Sequence, residues 1–173
     1  MKQVLLLLLA AAALPAGAQI TRTGSAVPPA EAQAALDLHN RIRNEVGTPP
    51  LRWSESLSAY AQAWADKQAG SGCQMQHRPA SGTWAQQYGE NIFWGSGRYF
   101  DAAEATQAWY SEKRAFRYGP VTANNFQKVG HYTQMVWSAS TEVGMGAARC
   151  PNGAWIIVAN YNPRGNYMDV KPY

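Results

Sequence analysis

Cysteine is nearly absent: 173 residues hold two, Cys73 and Cys150. Neither sits in a C-x-x-C pair or beside a local His or Asp signature. Two cysteines allow one connectivity, and in an oxidising compartment a structural staple is preferred over a reactive thiol. Long apolar runs are equally scarce. The first, Val4 to Leu14, is shorter than the roughly 18 to 20 residues that cross a bilayer, and no later stretch is apolar enough, so no membrane span is expected. Charge of one sign is nowhere concentrated along the chain. The scattered cations exclude the basic clusters of nucleic-acid and polyanion binders, so no nucleic-acid partner is expected.

What the N-terminus does hold is a secretory signal. Lys2 supplies the positive end, Val4 to Leu14 the apolar stretch and Ala16-Gly17-Ala18 an A-x-A cleavage site, which predicts a signal peptide over residues 1–18. No cysteine stands at the cleavage point to carry a lipid anchor. The protein is therefore expected to be secreted or periplasmic, with Gln19 as its first mature residue. Without Lys2 the balance is 14 cations against 11 acids, a mild +3. Roughly 155 residues remain, enough for one domain with a real core and too few for two. The reading is an extended lead-in over 19–29 and a single domain over 30–173, expected to be a monomer.

After Pro28-Pro29, Ala35, Leu38, Ile42 and Val46 recur at helical spacing until Gly47 and Pro49-Pro50. His39 lies off that stripe and reads as structural or solvated. Ser54 is an N-cap candidate for a second helix carrying Leu57, Tyr60, Ala61, Trp64 and Ala65, broken by Gly70-Ser71-Gly72. Periodicity is then lost from Cys73 to Gly89, a loop that contains His77. Gly89 to Gly95 reads as a short strand, with Glu90 set directly against an apolar run. Asp101 and Glu104 form a capping box ahead of Ala105, Ala108 and Trp109 on one helical face. Glu112, three residues beyond Trp109, points its carboxylate to the apolar side of that helix end, where an ionised group needs a partner; a frayed, solvated last turn competes.

Residues 114–129 read as irregular. The stretch Gly130 to Trp137 packs His131, Gln134 and three large apolar side chains into eight residues, and its own residues decide neither helix nor strand. Histidine is the side chain most easily recruited to metal binding or proton transfer near neutral pH. Val143–Arg149 and Trp155–Tyr161 flank Asn152-Gly153, a hairpin signal between two antiparallel strands. The tail from Asn162 to Tyr173 is rich in turn residues.

Eight motifs in order carry a family resemblance: Leu38-His39-Asn40-Arg41, Pro50-Leu51-Arg52-Trp53, Ala59-Tyr60-Ala61-Gln62, Cys73-x-x-x-His77, Gly89-Glu90-Asn91-Ile92, Trp109-x-x-Glu112-Lys113, Gly130-His131-Tyr132-Thr133-Gln134 and Asn160-Tyr161-Asn162-Pro163. Together they make the chain resemble the CAP superfamily of cysteine-rich secretory proteins, antigen 5 and pathogenesis-related 1 proteins, above all its plant pathogenesis-related 1 branch. It is read as a bacterial exported member. The resemblance implies an α+β fold, a three-layer α-β-α sandwich around a small antiparallel sheet. It also implies a cleft lined by His77, Glu90, Glu112 and His131, whose non-local spacings match no local metal motif. Plant members usually carry six cysteines; here Val129, Met145 and Ala159 stand at three of those positions.

The function expected is that of a secreted binding protein for a lipid, a sterol or another small apolar ligand. Trp84, Tyr88, Phe93, Trp94, Tyr99 and Phe100 supply aromatics near the cleft, although core packing also accounts for them. His77 and His131 are the expected ligands of Zn2+ or another divalent cation. Glu90 and Glu112 would be further ligands, act through water, or orient the imidazoles as acceptors. The alternatives are a metal-assisted hydrolase on the same four residues, for which no Ser, Cys or Thr stands out as nucleophile, and a host-interaction or defence-type protein. The latter rests on the tail, which resembles the C-terminal segment from which plant members yield a defence signal.

Overall fold

A proline opens the first helix: α1 (Pro29–Asn44) follows an extended Pro28 and places Pro29 in the first turn, where a missing N–H costs nothing. The computed structural model describes residues 19–173, and the leader read over residues 1–18 lies outside the described residues. α1 buries Ala35, Leu38 and Ile42 as its periodicity predicts. It also buries His39 and Arg43, which share a face at i, i+4 and are both 0% exposed. Arg43 donates from Nε to the Pro49 carbonyl at 2.6 Å, and from its terminal nitrogens to those of Met135, Trp137 and Ser140, each at 2.9 Å.

β1 (Arg52–Trp53) leads into α2 (Glu55–Gly70), where Ser54 caps by accepting from the Leu57 N–H. β2 (Gly89–Gly95) follows a long loop. α3 (Ala102–Tyr110) starts on the expected capping box, but Ala108 faces solvent; the buried face carries Ala102, Ala105, Thr106 and Trp109. A 3-10 turn at Ser111–Arg114 presents Glu112. α4 (Phe126–Met135) makes most of the undecided Gly130–Trp137 stretch helical, and claims four residues of the segment read as irregular. β3 (Glu142–Arg149) and β4 (Trp155–Asn162) form the expected hairpin, with Gly153 at φ +84 in the connection.

The sheet runs β1-β3-β4-β2. β2, β4 and β3 pair antiparallel, as expected. One edge departs from an all-antiparallel sheet: Arg52 and Trp53 pair parallel with Glu142 and Val143. Two residues carry no readable period, so β1 had no sequence signal of its own.

Side chains alternate across the sheet and define two cores. On one face α2 packs Ala61, Trp64 and Ala65 against Ile92, Ile156 and Val158. The helix lies so close that a Cβ at Gly144 or Gly146 would collide with the backbone nitrogens of Ser58 or Gln62. On the other face α1, α3 and α4 bring Ile42, Trp109, Tyr132 and Met135 onto Val143, Met145, Ile157 and Tyr161. Burying each such large apolar side chain contributes about 1.5–3 kcal/mol. The result is the three-layer α-β-α sandwich. Cys73, just past α2, bonds Cys150 at the end of β3, with Cα atoms 5.7 Å apart. Val129, Met145 and Ala159 are buried in the α1 side core, and Met145 stands directly opposite Ala159 across β3 and β4. Apolar packing occupies the places of the missing cysteines.

Candidate functional site

Each histidine of the expected cleft is held by one glutamate. His77, in the loop after α2, donates from Nδ1 to Glu90 Oε1 at 2.9 Å. Glu90 alternates inward on β2, its side chain 0% exposed, and the same oxygen accepts the Arg78 N–H at 3.0 Å. Arg78 Nε stands 3.7 Å from Glu90 Oε2, while Arg78 Nη2 donates to the Tyr60 carbonyl at 2.6 Å and its guanidinium lies 3.7 Å above the Tyr60 ring. Burial lowers the Arg78 pKa, with Tyr60 and Glu90 opposing that shift. The buried carboxylate is thus charge-compensated.

The second pair is tighter. Glu112, on the 3-10 turn, accepts His131 Nδ1 at 2.7 Å with one oxygen; the other accepts the backbone N–H groups of His131 at 2.9 Å and Tyr132 at 3.1 Å. This supplies the partner its inward placement required. The His131 ring stacks near-parallel on Trp109, centroids 6.2 Å apart. α4 is itself anchored at its C-terminal end, where Arg43 takes the Met135 and Trp137 carbonyls. Burial lowers the Arg43 pKa to about 10, so it remains cationic at neutral pH.

His77, Glu90 and His131 line one cavity of about 270 Å³, together with Asn91, Phe126, Gln127, Gly130 and Asn166. Glu112 sits behind His131 and is not among the lining residues. Because an ionised carboxylate only accepts, both Nδ1 atoms carry hydrogen and each neutral ring keeps its lone pair on Nε2. Among the described residues neither Nε2 has a hydrogen-bond partner. Also among them, no group of three or more His, Cys, Asp or Glu is close enough to enclose a metal ion. The nitrogen donors that face the cavity are two imidazoles, each backed by a carboxylate.

Sequence reasoning missed the residues that brace the cavity. Asn91 donates to the His131 carbonyl at 3.1 Å and to the Tyr161 hydroxyl at 3.2 Å, tying β2 to α4. Gln134 accepts the Gly165 N–H at 3.0 Å and lies where a Cβ at Gly89 would be. Asn166 accepts from Thr133 Oγ1 and donates to the Gly130 carbonyl, both at 2.7 Å. The motifs around Gly89 and His131 are thus two sides of one interface. His39 proves structural: Nδ1 donates to the Ala35 carbonyl at 2.8 Å, and Nε2 accepts from Tyr161 at 2.9 Å.

The expected aromatic wall is not there. Phe126 is the aromatic that lines the cavity. Trp84 packs on Trp64, Tyr88 edge-on to Tyr60, and Phe93 on Phe100 in the α1 side core. Trp94 faces solvent and Tyr99 packs edge-on to Trp155. Strand alternation and loop direction point these side chains away.

The fold is thus a three-layer sandwich in which two carboxylate-backed histidines line one cavity. Residues 36–161 match the model of the CAP, cysteine-rich secretory protein family, and the chain belongs to that family. It is 40% identical over 141 residues to pathogenesis-related protein 1C of Nicotiana tabacum, covering 82% of this chain and 80% of the relative. It is 39% identical over 158 residues to pathogenesis-related protein 1 of Arabidopsis thaliana, covering 89% and 92%. The crystal structure of NaASP2 with Zn2+ superposes with a TM-score of 0.73 at 25% identity, covering 85% of this chain and 86% of that one. Membership in a secretory family supports an extracellular location. Among the described residues, no helix is long and apolar enough to cross a membrane.

Proposed function

We propose that this protein is an exported binding protein, acting in a bacterial periplasm or outside the cell, whose His77 and His131 hold a divalent cation through Nε2. Zinc suits imidazole donors best. The observation that carries this reading is that both rings turn Nδ1 to a glutamate, leave Nε2 without a protein partner and line the same cavity. The similar NaASP2 structure was solved with Zn2+. Glu90 and Glu112 then act as acceptors that set ring orientation and tautomer. A cation held by two imidazoles keeps open positions for a further ligand. Hydrolysis on the same residues would need a free general base, whereas Glu112 is engaged by three N–H donors and Glu90 is walled in beside Arg78. That favours binding over turnover.

Isothermal titration with zinc near neutral pH, on wild type and on the His77→Ala, His131→Ala double variant, tests the site. Saturable heat lost in the variant is the expected result, and equal heats from both proteins would refute it. Coordination needs the deprotonated ring, so affinity falls on acidification.

A separate cavity favours a small apolar ligand as a second reading. Ile20, Leu36, Pro50, Leu51 and Trp53, within a rim of polar side chains that includes Arg22, Asp37 and Glu55, line a space of about 880 Å³ between the lead-in, α1 and β1, within the size range of ligand sites. Titration with labelled palmitate and cholesterol should saturate, and Trp53→Ala should weaken it. Absence of saturable binding removes this reading and leaves the metal site standing.

A further inference from the structure

We infer that the face built by the 117–121 loop and the C-terminal tail docks on anionic phospholipid surfaces. The tail is not a loose end. The Val121 N–H donates to the Val170 carbonyl at 3.0 Å, the Asp169 N–H to that of Val121 at 2.7 Å, and the Val170 N–H to that of Tyr167. Tyr118 donates to the Tyr173 carbonyl at 2.7 Å. These bonds make one continuous surface of two segments.

That surface is apolar and open. Tyr118 is 60% exposed, Tyr167 51%, Met168 49% and Val170 47%, four of the eight exposed large hydrophobic side chains among the described residues. Three cations are attached to it. Lys171 lies 4.9 Å from the Tyr118 ring centre, Arg164 5.9 Å from that of Tyr167, and Arg117 precedes Tyr118. All three are exposed, and none takes part in an ion pair among the described residues.

Charge decides the partner. Residues 117–121 and 163–173, the two segments of this face, contain Arg117, Arg164 and Lys171 against one acidic side chain, Asp169. The fold thus sets three cations distant in sequence on one face beside a single carboxylate side chain. Aromatic and aliphatic side chains rimmed by Arg and Lys match the boundary between anionic headgroups and acyl chains. A neutral apolar partner would leave those cations without counter-charge.

Vesicle flotation of the mature protein tests this. Binding to phosphatidylglycerol mixed into phosphatidylcholine is expected, with none to phosphatidylcholine alone, and it should weaken as salt rises. Each cation contributes roughly fivefold to partitioning, so Arg117→Gln, Arg164→Gln, Lys171→Gln together should cost on the order of a hundredfold. Met168→Ser with Val170→Ser should also weaken it. The remote triple Arg22→Gln, Arg52→Gln, Arg149→Gln should keep it. The proposal is overturned if that control loses as much, if neutral vesicles bind equally, or if nothing binds. It is also overturned if patch variants instead dissolve a dimer of this chain in sedimentation runs that show no lipid binding.

Discussion

Glu112 holds His131 by both its ring and its backbone: one carboxylate oxygen takes Nδ1 at 2.7 Å and the other takes the amide N–H at 2.9 Å. The ring can turn about neither bond without breaking a charge-assisted hydrogen bond. Loss of this grip should weaken zinc binding about 10- to 100-fold while His131 itself is retained. Competition with a chelating dye on Glu112→Gln measures it, and unchanged affinity would reduce Glu112 to a structural brace.

The disulfide spans 77 residues of sequence. Closing a loop of that size stabilises by about 4 to 5 kcal/mol in the chain-entropy view. Replacing Cys73 and Cys150 with alanine should lower Tm by roughly 10 to 15 °C. Calorimetry of the oxidised protein and the double variant gives the difference directly.

His39 makes acid stability readable. Burial, with a smaller contribution from the Arg43 charge, lowers its pKa from 6.5 to about 4, against the raising effect of the Ala35 hydrogen bond. Below pH about 6.5 the unfolded chain takes up a proton that the folded chain refuses. Stability should therefore fall as pH drops from about 6.5 to about 4, by on the order of 3 kcal/mol, and this contribution levels off beneath. Urea unfolding at the two ends of that window should show a larger loss for wild type than for His39→Gln. Equal losses would assign the acid sensitivity to other groups.

Met145 is fully buried opposite Ala159. With one disulfide, the core there depends on packing, and Met145→Ala should cost about 2 to 5 kcal/mol. Denaturant midpoints at constant m-value check it.

Arg43 is expected to be intolerant of truncation. Arg43→Ala leaves four carbonyls without its donors and frees the end of α4 that carries His131, at a cost of several kcal/mol. Thermal melts and zinc titration of one preparation should both register the change.

Where structure is encoded within one turn of chain, the amino-acid order determined it. Ser54, Asp101 and Glu104 start α2 and α3 because caps bond residues two or three positions away, and the strand-like runs on either side of Asn152-Gly153 pair as a hairpin. Helical spacing likewise placed Leu38 and Ile42 inward, yet it assigned no role to Arg43, whose i, i+4 position relative to His39 was the available clue. What the tertiary structure alone decided is which distant residues meet. His77 and Glu90 are 13 positions apart, Glu112 and His131 are 19, and only the family likeness grouped them before the fold brought His77, Glu90 and His131 to one cavity with Glu112 behind His131. The aromatics near the cleft in sequence point elsewhere, β1 exists only because β3 lies beside it, and dispersed cations share a face because the tail pairs with Val121. Side-chain direction and chain return are set by packing over the whole core, a non-local free energy that no short window of residues contains.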